Sequence, residues 1–70
     1  MEKVAIYTEY ITLGQFLKLK GIIAGGSDAK NFLMIKEVLV NGVKEERRGR
    51  KLYRGDVIKV LKTEYMITKE

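Results

Sequence analysis

The dipeptide Asn41-Gly42 restricts the possible folds of this chain more than any other feature of its sequence. Both residues tolerate positive φ, and the pair is the strongest short-range signal for a two-residue β-hairpin. The run Val38–Val40 precedes it, and residues 57–61 and 65–67 form further apolar runs joined by a polar connection at residues 62–64. The C-terminal half therefore predicts a small sheet whose strands run mostly antiparallel.

The N-terminal half predicts one strand and two helices. Apolar and other residues alternate over residues 3–6, as in a short strand. Thr12 is the predicted N-cap of the first helix, because Gln15 three residues later completes a capping box, and Gly21 is predicted to end that helix. Ser27 is the predicted N-cap of the second. We expect one α+β domain over residues 1–70, with two short helices packed on a small, mostly antiparallel sheet of three to five strands.

The composition excludes several kinds of chemistry. The chain has no cysteine and no histidine, so disulfides, Cys/His metal sites and serine–histidine triads cannot form. Glu45 and Glu46 stand among arginines, where they are more typical of local charge balance than of an acid–base pair. We expect no catalytic residue, no metal ligand, no cofactor and no small-molecule substrate.

Positive charge is concentrated in one segment. The net charge is +5, and residues 44–54 contain six basic side chains against two acidic ones. Such a field favours a polyanionic partner: nucleic acid, an anionic membrane or an acidic protein. The sequence shows neither a secretory signal nor an apolar stretch of about 18 residues that could span a membrane. We therefore expect a cytoplasmic protein that does not bind membranes.

Four segments together resemble the S4 RNA-binding domain, also called the αL motif. In order they are residues 12–17 (TLGQFL), 27–33 (SDAKNFL), 38–42 (VLVNG) and 55–58 (GDVI). Their order and spacing match the family over about residues 11–61, and residues 47–52 are similar to its stand-alone bacterial YaaA/YbcJ-like group. The resemblance implies the αL fold and non-catalytic binding of structured RNA. It further implies that the RNA is ribosomal and that the protein acts in ribosome assembly.

Three positions depart from the family pattern. Thr12 and Gly26 stand where relatives commonly have arginine, and Arg54 replaces the usual proline before the Gly-Asp turn. Two phosphate-binding arginines of the family are therefore missing, and their contacts cannot be transferred to this chain. The basic cluster at residues 47–51 is the predicted replacement.

Folded RNA is recognised mainly by its shape, phosphates and 2′-hydroxyls, so a binder needs basic groups spread over one face. We expect the start of the second helix and residues 47–51 to form one continuous basic face. The candidate RNA-binding residues are Lys18, Lys20, Ser27, Lys30, Arg47, Arg48, Arg50, Lys51 and Arg54. Among the tyrosines, Tyr53 has the most basic neighbours and is the best candidate for stacking on a base.

Two other classes of function fit part of the sequence. One is a protein-interaction adaptor that uses the apolar strands, for which the same basic face suits an acidic partner. Small β-grasp carriers share a Val-Asn-Gly segment and a Gly-Asp turn, but they end in Gly-Gly, whereas this sequence ends in residues 68–70 (TKE). Such a carrier would have no attachment site here. We expect a monomer that binds RNA.

Overall fold

The computed structural model describes residues 1–25 and 27–70. The helices are α1 (Leu13–Leu19) and α2 (Gly26–Ile35). The strands are β1 (Glu2–Ile6), β2 (Tyr10–Thr12), β3 (Val38–Val40), β4 (Val43–Lys44), β5 (Lys51–Tyr53), β6 (Val57–Val60) and β7 (Thr63–Lys69). No helix in the described part of the chain has both the length and the apolar character needed to cross a bilayer.

The strands form a larger mixed sheet and a separate two-stranded ribbon. The larger sheet has the order β1-β7-β6-β3-β4, with β1 parallel to β7 and the other pairs antiparallel. The ribbon pairs β2 with β5 in antiparallel register. The α+β class with two helices on a small sheet is confirmed. The parallel pair and the ribbon were not predicted.

Both helices bury an apolar stripe against one face of the larger sheet. Phe16 of α1 lies edge-on to Tyr65 of β7, with ring centroids 5.2 Å apart, which is a favourable aromatic geometry. The fully buried residues come from both helices, from the larger sheet and from β5 of the ribbon: Leu13, Phe16, Leu17, Ala29, Leu33, Val38, Leu52, Ile58 and Ile67.

The ends of α1 are those that the sequence predicts. The Thr12 hydroxyl accepts the N–H of Gln15 at 3.3 Å, and the Gln15 side chain accepts the N–H of Thr12 at 2.8 Å, which completes the capping box. Gly21 follows the helix with a φ of +72°, a conformation that suits glycine at a helix end.

The predicted start of α2 was wrong. Its N-cap is Gly25, which has extended backbone angles and whose carbonyl accepts the N–H of Asp28 at 3.1 Å. Ser27 therefore lies within the first turn and does not cap the helix. The N-cap lies two residues before Ser27, because the carbonyl of Gly25 accepts the first hydrogen bond of the helix.

Two tight turns connect strands of the larger sheet. Asn41 and Gly42 have φ of 52° and 82°, so the predicted hairpin is confirmed. Leu61 and Lys62 also have positive φ, 51° and 69°, and they alone connect β6 to β7. The prediction of a connection over residues 62–64 was wrong, because β7 already begins at Thr63. Neither Leu61 nor Lys62 belongs to the residue types that mark such a turn.

Candidate nucleic-acid interface

The segment between β4 and β5, residues 45–50, is called the basic loop here, and a single carboxylate organises it. The side chain of Glu45 is only 7% exposed. It accepts the backbone N–H groups of Glu46 and Arg47 at 3.1 and 3.0 Å. The Arg47 guanidinium binds both carboxylate oxygens, at 2.9 and 3.0 Å, and Arg50 donates to one of them at 2.7 Å. These five donors fix the course of the loop.

The same contacts keep Glu45 ionised. Hydrogen bonds from the Arg47 side chain, together with those from its backbone and from Arg50, lower the pKa of Glu45 from 4.5 to about 2, although desolvation acts in the opposite direction. The hydrogen bond to Glu45 likewise raises the pKa of Arg47. The local charge balance that the sequence predicts is therefore present, and these three side chains together carry one net positive charge.

The basic loop also rests on the first turn of α1. The N–H of Leu13 donates to the carbonyl of Arg50 at 2.8 Å, and that of Gly14 donates to the carbonyl of Arg48 at 2.9 Å. The first amides of a helix have no acceptors inside the helix, and here two carbonyls of the basic loop accept their hydrogen bonds. A Cβ placed on Gly14 would lie 3.4 Å from that Arg48 carbonyl oxygen and 3.7 Å from the Cβ of Ala29. At Gly14, α1 therefore lies close to both the basic loop and α2.

The basic loop separates two shallow hollows. The first hollow lies between the helices and the loop, and its lining includes Lys18, Ala29, Arg48 and Gly49. The second hollow lies on the β5 side of the loop. It is lined by Arg47, Gly49, Arg50, Lys51 and Tyr53. Gly49 belongs to both, so the fold brings five of the predicted basic residues to adjoining parts of one surface.

The remaining predicted residues lie outside these hollows. Lys20 forms an ion pair with Glu2, and its Nζ lies 5.6 Å from the ring centroid of Tyr65, which holds it towards β1. The others are exposed without lining either hollow in the described part of the chain: Ser27, Lys30 and Arg54. A face that continues as far as these four residues stays a prediction.

The two hollows present hydrogen-bond donors and positive charge. Within residues 1–25 and 27–70, no three acidic side chains are grouped so that they could hold a metal ion. Arg47 uses two of its five N–H groups on Glu45, and its side chain is still 75% exposed. Most of this side chain is therefore accessible, and a phosphate oxygen is the strongest acceptor that RNA offers to it. The arrangement suits the binding of polyanions.

Comparison with known proteins gives the family. The S4 domain family matches residues 4–68, nearly the whole chain. The chain belongs to the S4 domain family. The predicted resemblance to this family is thus confirmed, and the match begins within β1 and ends within β7.

A relative of this S4 domain is known in Bacillus subtilis (strain 168), under the name probable ribosome maturation protein RlbA. The two are 58% identical over 57 residues, which are 81% of this chain and 80% of the relative. The relative is therefore about as short as the present S4 domain.

Sequence reasoning missed three features of this S4 domain. It gave no sign that Glu45 is buried, that Gly14 allows the loop to dock on α1, or that Tyr10 lies directly opposite Tyr53. One signal for the ribbon was present in the sequence: Leu52 stands alone between Lys51 and Tyr53, and it is fully buried. A single apolar residue at the centre of Lys51–Tyr53 is the pattern of a three-residue strand that buries one side chain.

Proposed function

We propose that this S4 domain binds structured RNA through its phosphates, without catalysing a reaction, and that it acts in ribosome maturation on ribosomal RNA. The observation that carries the proposal is the basic loop, which Glu45 and the first turn of α1 hold in one conformation. The family and the name of the Bacillus subtilis relative support a role in ribosome maturation. We place the protein in the cytoplasm as a monomer.

Fixing the loop favours binding even though Glu45 neutralises one charge. Long basic side chains lose rotamer freedom when they bind a phosphate, and this loss reduces affinity. The ion pairs already restrict Arg47 and Arg50 in the unbound protein. RNA would therefore meet a surface that needs little further ordering. Residues 44–54, which include the loop, keep four net positive charges that attract the RNA.

The proposed contacts fall into two groups. The inner contacts are the basic residues of the two hollows: Lys18, Arg47, Arg48, Arg50 and Lys51. The outer contacts, reached only by a longer RNA, are Lys20, Ser27, Lys30 and Arg54. An A-form helix offers a wide, shallow minor groove bordered by phosphates, and a surface with two adjoining hollows suits two neighbouring phosphate positions.

The salt dependence of binding tests the phosphate contacts. With five inner contacts, each contributing about −0.7 to −0.9, log K should fall against log salt with a slope of about −4. Fluorescence anisotropy with a labelled ribosomal RNA fragment, from about 50 to 200 mM salt, measures this slope. An unrelated folded RNA of equal length tests for ribosomal preference. A slope near zero would rule out the phosphate contacts, and equal affinities would rule out the ribosomal target.

A charge-matched pair of variants tests the location of the interface. The double variant Arg48→Gln with Lys51→Gln removes two positive charges from the hollows and should weaken binding at least 10-fold, because charge-assisted bonds to phosphate are lost. The control, Lys3→Gln with Lys59→Gln, removes the same charge from exposed positions on β1 and β6. Arg47 and Arg50 are unsuitable for this test, since replacing them also removes partners of buried Glu45. Equal weakening in both double variants would place the interface elsewhere.

A further inference from the structure

The β2–β5 ribbon has one buried face and one solvent face. In its register Ile11 lies opposite Leu52, and Leu52 is fully buried in the core. Side chains alternate along a strand, so the flanking pairs point the other way. Those pairs are Tyr10 with Tyr53 and Thr12 with Lys51. The solvent face of the ribbon thus carries two aromatic rings beside a lysine.

These side chains are held in a definite arrangement. The ring centroids of Tyr10 and Tyr53 are 5.8 Å apart, with the planes inclined at 48°. The Nζ of Lys51 lies 4.9 Å from the centroid of Tyr10, a distance at which a cation is attracted to the ring. Yet both rings remain open to solvent, Tyr10 at 37% and Tyr53 at 43% exposure. Since Lys51 lies over Tyr10, Tyr53 is the ring better placed to accept a ligand.

Tyr53 also lines the second hollow, together with Arg47, Arg50 and Lys51. An aromatic ring beside groups that bind phosphate matches the chemistry of one nucleotide, whose base is a flat ring and whose phosphate is an anion. The bases of a duplex are stacked on one another and cannot reach such a ring. Only a base in a loop, a bulge or an end is available to it.

We infer that the solvent face of the β2–β5 ribbon is a binding site for one unpaired nucleobase. The base stacks on Tyr53 while the adjacent phosphate binds in the second hollow. This inference rests on the proposed function, and it specifies the RNA: a duplex that carries an unpaired nucleotide next to the paired segment. Tyr10 packs beside the Tyr53 ring from the neighbouring strand, and Lys51 lies over the Tyr10 ring.

The test compares two RNAs that share one duplex. The first is a blunt hairpin, and the second carries one additional unpaired 2-aminopurine nucleotide at its end. Stacking on an aromatic side chain should make the second RNA bind on the order of 10-fold more tightly than the first. Stacking also quenches 2-aminopurine fluorescence, so the emission should fall when the protein is added. Affinities for both RNAs are measured at the same salt concentration, and their ratio is the readout.

Three variants test whether the Tyr53 ring causes the difference in affinity between the two RNAs. Tyr53→Leu should bring the ratio to about one and abolish the quenching, whereas Tyr53→Phe keeps a ring and should retain both. Tyr7→Leu is the control, because Tyr7 is 83% exposed and lines neither hollow. Circular dichroism checks the fold of each variant. Neither Tyr53 substitution alters its backbone N–H bond to Asp56, at 2.8 Å, so the turn after β5 is retained.

The outcomes separate this inference from the proposed function. A ratio of one for the unmodified protein, with firm binding of both RNAs, overturns the base site and leaves RNA binding intact. A ratio that Tyr53→Leu does not change overturns the base site as well, even if both affinities fall. If neither RNA binds, the proposed function fails and the base site fails with it.

Discussion

Replacing Glu45 with glutamine removes the charge at the centre of the basic loop and keeps the size of the side chain. The folded protein lowers the pKa of this carboxyl from 4.5 to about 2. A tenfold change in proton affinity corresponds to about 1.4 kcal/mol, so the ionised form is favoured by about 3 kcal/mol. Arg47 is 75% exposed, and solvent screens its share. We therefore expect Glu45→Gln to lower the free energy of unfolding at pH 7 by about 1–2 kcal/mol.

The effect of pH has a definite sign. Folding lowers the pKa of Glu45, so the unfolded chain takes up the proton more readily than the folded one. The stabilisation is fully present above the ordinary pKa of 4.5 and is lost as the pH falls towards about 2. The glutamine variant lacks this contribution at every pH. The difference in stability between the two proteins should thus be constant near neutrality and shrink within that acidic window.

Urea denaturation followed by circular dichroism at low ionic strength measures this difference across the pH range. The matched control is Glu46→Gln. Glu46 is the adjacent residue, its side chain is 62% exposed, and its carboxylate lies 3.6 Å from the Nζ of Lys44. An exposed pair of this kind contributes about 0.2–1 kcal/mol, so the control should show a smaller loss. A Glu45→Gln variant as stable as the unmodified protein, or a difference that persists unchanged at the acid limit, would refute the reasoning.

Two further predictions concern the support of the basic loop and are measured by the same urea denaturation. Gly14→Val should lower the free energy of unfolding by about 1–3 kcal/mol, because its branched side chain must displace the loop at Arg48. Gly14→Ala is the control, since a single Cβ meets the nearest atom at 3.4 Å, an ordinary contact. Equal effects of the two substitutions would show that the loop docks only loosely on α1. Thr12→Ala removes the hydroxyl that caps α1 and should cost about 1 kcal/mol, and a neutral effect would mean that the capping box does not stabilise this helix.

The parts of the fold that sequence predicts well are those fixed by neighbouring residues. The Asn41-Gly42 hairpin and the capping box of Thr12 each depend on residues within one turn of chain. Pairing between distant segments has no such signal. The ribbon joins Tyr10–Thr12 to Lys51–Tyr53, and each of these strands is only three residues long. Nothing in either segment identifies its partner.

The candidate site was predictable in composition but not in geometry. The density of basic residues after β4 identified the segment, and five of the predicted residues line the two hollows. The different roles of Glu45 and Glu46 could not be read from the sequence, because the two residues are chemically alike and adjacent. The N–H of Glu45 donates to the carbonyl of Val38 at 2.9 Å, which continues the pairing of β4 with β3. Successive side chains of an extended chain point to opposite sides, so one carboxylate is buried while the next is exposed.

The parallel pairing of β1 with β7 determines when the larger sheet can finish folding during synthesis. Glu2 pairs with Tyr65 and Ile6 with Lys69, so the first strand of this S4 domain to be synthesised has its partner in the last strand of the same domain. Until those residues emerge, Val4 and Ile6 have no sheet to join and remain accessible to chaperones and proteases. Closing a loop of this length also slows folding compared with a chain of purely local contacts. A nascent copy therefore acquires its full sheet only after synthesis has passed residue 69.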